Sequence, residues 1–117
     1  MIKLLLIDDD ARALELRALI FQHHGFETAT AVDCIQARAL FVEFQPHAVL
    51  LDLRLPSAED GRALIREFRK TSPPLRIVVL AGWPADLEGS EEAAMVDAVF
   101  AKPASPALLV QAVKAIR

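Results

Sequence analysis

Apolar runs of four to six residues alternate with segments whose apolar positions recur at three- and four-residue spacing, and the alternation repeats five times along the chain. It predicts strands near 2–7, 26–30, 48–52, 76–81 and 98–101, and helices over roughly 10–24, 33–44, 60–70, 86–95 and 105–117. That order implies an α/β domain built on a mostly parallel sheet. In the first helix Ala13, Leu16 and Ile20 lie beside Leu14, Ala18 and Phe21 in a broad apolar stripe, with Arg12, Glu15 and Gln22 opposite and Gly25 at the end. Ala37, Leu40, Phe41 and Phe44 repeat the spacing in the second. The last opens with Ser105 as N-cap and Pro106 as first helical residue. The fourth has the poorest signals, because Gly82, Pro84 and Gly89 interrupt it and 86–95 is rich in Glu and Ala.

The first and third runs are almost continuously apolar, as expected of strands covered on both faces by helices. Charged residues end them. Ile2 to Ile7 stops on Asp8 and Asp9, Ala48 to Leu51 stops on Asp52, and Ala98 to Ala101 stops on Lys102 and Pro103. Ligands of such sheets bind beyond the carboxyl ends of the strands, where strand order reverses. Neighbouring parallel strands would therefore bring these carboxylates and the ammonium to one edge. Clustered carboxylates relieve their repulsion by taking up a proton or a cation. Mg²⁺ suits oxygen ligands and commonly takes one or two carboxylates plus a phosphate oxygen. Lys102 would meet that phosphate as a point charge, and Asp52 would act as nucleophile toward a phosphoryl group to give an aspartyl phosphate.

Composition narrows the possibilities. With 117 residues and 54% hydrophobic content, one domain over 1–117 is expected. The 13 basic and 16 acidic residues are mixed along the chain, with a net charge of −3, so no basic stripe is present and direct nucleic-acid binding is not expected. Cys34 is the single cysteine, which excludes an internal disulfide and a cysteine zinc site. The first apolar run carries Lys3 and is too short for a signal peptide or a membrane span, which makes a cytoplasmic location the expectation.

Three segments, Leu-Leu-Leu-Ile-Asp-Asp-Asp at 4–10, Val-Leu-Leu-Asp-Leu-Arg-Leu-Pro at 49–56 and Ala-Lys-Pro at 101–103, together resemble the receiver domain of bacterial two-component response regulators. The resemblance extends over essentially the whole chain. It implies a flavodoxin-like fold with strand order 2-1-3-4-5. Carried over residue by residue, it makes Asp9 a direct Mg²⁺ ligand and Asp8 a ligand acting largely through water. Asp52 becomes phosphoacceptor and metal ligand, the backbone carbonyl of Arg54 a further ligand, and Lys102 the phosphate-binding lysine, with Pro103 after a cis peptide. The implied partner is a histidine kinase or phosphotransfer protein, and the chain acts as an acceptor rather than an enzyme. The family's dimer face, formed by the fourth helix, fifth strand and fifth helix, makes a homodimer a further implied partner. Leu108, Leu109 and Val113 serve either that interface or packing on the sheet.

The chain departs from the family at its switch. Ala81 stands where the family usually has Thr or Ser, and Val99 where it usually has an aromatic, unless Phe100 one place later substitutes for it. A weak or rerouted conformational response is therefore expected, and a degenerate receiver acting as a constitutive protein-binding module is the rival reading. The segment Ser57-Ala58-Glu59-Asp60-Gly61 is one residue longer than the family loop, which shifts the start of the third helix. Arg54 and Trp83, two residues after Asp52 and Ala81, are expected to flank the phosphoryl group and to slow its hydrolysis. A small phosphohydrolase of the haloacid-dehalogenase type would need an acid two residues after Asp52, where Arg54 stands. Asp10 is assigned to capping of the first helix, and Cys34 and Met95 to packing. His23 and His24 answer a helix dipole, and His47 is read as a solvated strand edge.

Overall fold

The computed structural model describes residues 1–115, so positions 116 and 117 of the predicted last helix lie outside the described residues. Five strands, β1 (Lys3–Ile7), β2 (Glu27–Ala31), β3 (Ala48–Asp52), β4 (Arg76–Ala81) and β5 (Ala98–Ala101), pair in parallel in the order β2-β1-β3-β4-β5. Three helices, α1 (Ala11–His23), α2 (Cys34–Phe44) and α3 (Ala58–Thr71), connect β1 to β4 in turn, and α4 (Pro106–Lys114) follows β5. The continuous apolar runs are explained by burial on both sides. Leu4, Leu6, Leu50, Val78 and Leu80 pack with Leu14, Phe21 and Val113 of α1 and α4, while Leu5, Ile7, Val49, Leu51 and Val79 pack with Ala37, Leu64 and Phe68 of α2 and α3. Side chains alternate between these two cores along β1, β3 and β4. Each fully buried Leu contributes about 1.5–3 kcal/mol, and such residues dominate the central strands.

Local signals set where helices begin. Asp10 caps α1 by accepting from the backbone N–H of Arg12 and of Ala13, both at 3.1 Å. Asp33 caps α2 through Gln36 N at 2.8 Å. Ser57 and Asp60 form a reciprocal capping box, so α3 starts at Ala58, two residues before the expected start at 60. Ser105 occupies the N-cap position of α4, but its side chain makes no capping hydrogen bond, while Pro106 stands in the first turn as expected. Within α4, Leu109 and Val113 are buried against the sheet and Leu108 is exposed. Two of the three residues weighed for a dimer face thus belong to the core. Cys34 and Met95 pack against the α2/α3 core. His47 is exposed, and its Nδ1 accepts from Lys3 N at 2.9 Å.

The predicted helix over 86–95 does not form. Two short 3₁₀ turns, Pro84–Asp86 and Glu91–Met95, take its place. Gly89 between them has φ +76°, a left-handed conformation that breaks an α-helix, and Ser90 is extended. The Glu- and Ala-rich composition is overridden by contacts to α3. Arg62 donates to the Asp86 carbonyl at 2.6 Å, Arg66 to the Glu92 carboxylate at 3.1 Å, and Arg69 to the Met95 carbonyl from two nitrogens at 2.8 and 2.6 Å. Positions 62, 66 and 69 share one face of α3. That face supplies donors to the Asp86 and Met95 carbonyls and to the Glu92 carboxylate, and so holds the segment in its non-helical course.

Gly61 meets a second steric demand, since a Cβ there would collide with the carbonyl oxygen of Leu53 in the loop that carries Arg54. Gly61→Ala is expected to destabilise the protein by about 3 kcal/mol through forced backbone displacement, measured as a lower midpoint of chemical denaturation.

Candidate functional site

Strand register places the charged residues at one edge. Ile7 pairs with Leu51, Asp52 with Leu80 and Ala81 with Ala101, so β1, β3 and β5 deliver Asp8, Asp52 and Lys102 to the same end of the sheet. Asp8, Asp9 and Asp52 each present a carboxylate oxygen there, and these atoms lie within 4.8 Å of one another. Asp8 is 2% exposed and Asp52 6%, while Asp9 is open to solvent. Lys102 Nζ donates to Asp52 Oδ2 at 2.7 Å and stands 3.9 Å from Asp8 Oδ2. Its backbone N–H donates to the Ala81 carbonyl at 3.0 Å, and the Lys102–Pro103 peptide is cis.

Other expected positions are arranged differently. The Arg54 N–H points to Asp52 Oδ1 at 3.4 Å, but its guanidinium is held by Asp86, Nε to Oδ2 2.8 Å, in the first 3₁₀ turn. Trp83 is 66% exposed on the loop after β4. Ala81 is buried at the end of β4 and carries no donor. Val99 is exposed beside Pro84, Leu87 and Ala93, whereas Phe100 packs into the α1/α4 core with Leu4, Leu6 and Leu80. Strand alternation therefore sends Phe100 to the opposite face, and it does not substitute for an aromatic at 99.

One residue of the site went unpredicted. Arg17 of α1 places Nη1 3.2 Å from Asp8 Oδ2, and Asp8 Oδ1 accepts the Asp10 N–H at 2.9 Å. The signal was a charge set among apolar positions: 13, 16, 17 and 20 line one cleft between α1 and α4. Leu16 is accordingly 62% exposed on the wall of that cleft, while Leu14, Ala18 and Phe21 are buried beneath.

Burial pushes the Asp52 carboxyl above its ordinary value; the Lys102 hydrogen bond opposes this rise and the charge of Asp8 adds to it. Three carboxylates against two cations, Lys102 and Arg17, leave the cluster with excess negative charge. Hard oxygen donors with such an excess fit a small divalent cation such as Mg²⁺.

The family model described as the response regulator receiver domain matches residues 4–114. The DNA-binding response regulator MtrA of Mycolicibacterium paratuberculosis is 34% identical over 116 residues, 97% of this chain and 50% of that protein. The DNA-binding dual master transcriptional regulator RpaA of Synechocystis is 35% identical over 78 residues, 67% of this chain and 32% of that protein. The chain thus spans half or less of the length of these relatives. Among solved structures, a response regulator receiver domain protein from Clostridium thermocellum superposes with a TM-score of 0.89 at 22% identity, covering 99% of this chain and 94% of its own. TrrA from Thermotoga maritima, solved in complex with Mg²⁺ and BeF, gives 0.88 at 24% identity over 100% of both chains.

The raised carboxyl of Asp52 has a consequence for stability. As pH climbs through the ordinary carboxylate range, near 3.9, the unfolded chain loses this proton while the folded chain retains it, so stability falls until the raised folded value is passed. In the presence of a chelator, Asp52→Asn is expected to melt at a higher temperature than the wild type at neutral pH. The difference should vanish below the ordinary carboxylate range, as followed by thermal unfolding across pH.

Proposed function

The chain belongs to the response regulator receiver family, and on that premise we propose that Asp52 accepts a phosphoryl group from a phosphohistidine of a histidine kinase or phosphotransfer protein, in a Mg²⁺-dependent reaction. The observation that carries this is the convergence of Asp8, Asp9 and Asp52 oxygens within 4.8 Å, with Lys102 Nζ 2.7 Å from Asp52. Asp8, Asp9, Asp52 and the Arg54 carbonyl are the residues that would hold the ion. When bound, Mg²⁺ supplies charge neutralisation for the carboxylates and the phosphoryl oxygens.

The chain's own residues do the rest. An Asp52 carboxylate oxygen forms a bond to phosphorus as the phosphorus–nitrogen bond of the donor breaks, and the imidazole leaves with the bonding electron pair. Lys102 exchanges its contact with Asp52 Oδ2 for one with a phosphoryl oxygen and balances the added charge. Burial of Asp52 keeps water from the acyl phosphate. We place the reaction in the cytoplasm, where kinase and phosphodonor would be met; no described helix is long and apolar enough to cross a membrane. The kinase or phosphotransfer protein, rather than nucleic acid, is the partner we assign to these residues.

Ala81 and Val99 limit what phosphorylation does next. Without a hydroxyl at 81, a charge-assisted hydrogen bond worth about 1.5–3 kcal/mol is missing from the phosphorylated form. A population shift of ordinary size needs a larger differential than the remaining contacts supply.

Incubation with Mg²⁺ and a small-molecule phosphodonor should add the mass of one phosphoryl group, detected by intact-mass spectrometry. Asp52→Asn should abolish the addition and Lys102→Met should slow it by about a hundredfold; an unmodified wild-type protein would end the proposal. Binding of the beryllofluoride mimic should move backbone NMR resonances near residues 8–10, 52–54 and 102 only. Large shifts spreading through 95–101 and 104–115 would show that switching survives by another route.

A further inference from the structure

The cation site proposed above is already partly occupied from within the chain. Both oxygens of the buried Asp8 carboxylate are engaged: Oδ1 by the Asp10 N–H at 2.9 Å, and Oδ2 by Arg17 Nη1 at 3.2 Å, with Lys102 Nζ at 3.9 Å. Arg17 is itself largely withdrawn from water, with 19% of its side chain exposed. It rises from the α1 face that lines the cleft toward α4, opposite Pro103 and Leu109. Its guanidinium therefore stands beside the small volume in which a cation shared by Asp8, Asp9 and Asp52 would be held.

We propose that Arg17 is a positioning residue that competes with the divalent cation: it holds Asp8 in the cation-free protein and sets a low affinity for Mg²⁺. This rests on the cation reading of the site. A guanidinium cannot relieve the encounter by losing its proton, because it remains charged throughout the accessible pH range. At separations of about 6 Å and an effective dielectric constant of about 20, a single and a double positive charge repel by several times the thermal energy. Burial reduces the screening that salt would give an exposed pair. In the absence of the ion the same charge is favourable, since Asp8 would otherwise be a buried anion compensated only by the Asp10 N–H and by a Lys102 ammonium at 3.9 Å that it shares with Asp52. Arg17 thus stabilises one state and opposes the other, and by linkage the ion must weaken the Arg17–Asp8 contact as much as that contact weakens the ion.

A purely structural clip between α1 and the sheet makes the opposite forecast. Removing a clip would loosen Asp8 and either weaken cation binding or leave it unchanged. Removing a competitor tightens it.

The test is a titration of the full chain with Mg²⁺, read by calorimetry and by the dependence of melting temperature on Mg²⁺ concentration. Wild type is compared with Arg17→Gln, which keeps a donor for Asp8 without charge, and Arg17→Lys, which keeps the charge. Arg17→Gln is expected to bind Mg²⁺ about fivefold or more tightly than wild type. Arg17→Lys should stay within about twofold. In chelator, Arg17→Gln should melt below wild type, and saturating Mg²⁺ should close that gap. If the variant folds only with the ion, its melting curve against Mg²⁺ still yields the affinity. Equal or weaker binding by Arg17→Gln, with a wild type that binds, overturns this proposal alone. A wild type that binds no Mg²⁺ overturns it together with the cation reading.

Discussion

Carboxylates gathered at the carboxyl edge of a buried sheet repel one another, and the folded chain tolerates the cluster because each buried acid has a dedicated counter-charge. Lys102 reaches across the end of β4 to Asp52, and Arg17 reaches down from α1 to Asp8. Neither cation is adjacent in sequence to the acid it serves. The pairing exists only when β1, β3 and β5 end at one level and α1 lies over the edge. The remaining excess of negative charge favours a small hard cation, which is the basis of the proposed phosphoryl chemistry.

A second set of arginine contacts, to backbone carbonyls and to one carboxylate, governs the region where a fourth helix was expected. Arg62, Arg66 and Arg69 on α3 hold Asp86, Glu92 and Met95 of the segment after β4. Glu92 is 5% exposed, so its contacts with Arg62 and Arg66 occupy a low-dielectric setting in which an unpaired carboxylate would be strongly unfavourable. Arg54 joins this region to the acidic cluster, since its backbone N–H meets Asp52 and its guanidinium meets Asp86. With Ala81 unable to donate and Val99 facing solvent, this bridge is a physical connection between the loop after β3 and the 3₁₀ segment.

The switch positions and the site therefore differ in how completely they match the family. The acidic pair, the central Asp and the Lys-Pro step converge at one edge of the sheet, with the family's strand order and a cis Lys102–Pro103 bond. At the switch, Val99 carries no aromatic ring and Phe100 belongs to the core beneath the opposite face. The acidic edge of the sheet matches the family in composition, and positions 81 and 99 do not.

Short continuous apolar runs alternating with three-to-four-residue periodicity, together with Asp, Ser, Gly and Pro at element ends, determined the five strands, four of the helices, the parallel sheet and the edge to which Asp8, Asp9, Asp52 and Lys102 are delivered. Those features are local, and short-range physics is enough to read them. Tertiary structure alone decided three things. Residues 86–95 became 3₁₀ turns because Gly89 adopts a left-handed φ and the α3 arginines bind the Asp86 and Met95 carbonyls and the Glu92 carboxylate. Phe100 went to the core because strand alternation is counted from the registered sheet. Arg17 joined Asp8 because the rotation of α1 over the sheet turns position 17 toward the acid, a relation nine residues apart that only packing can establish.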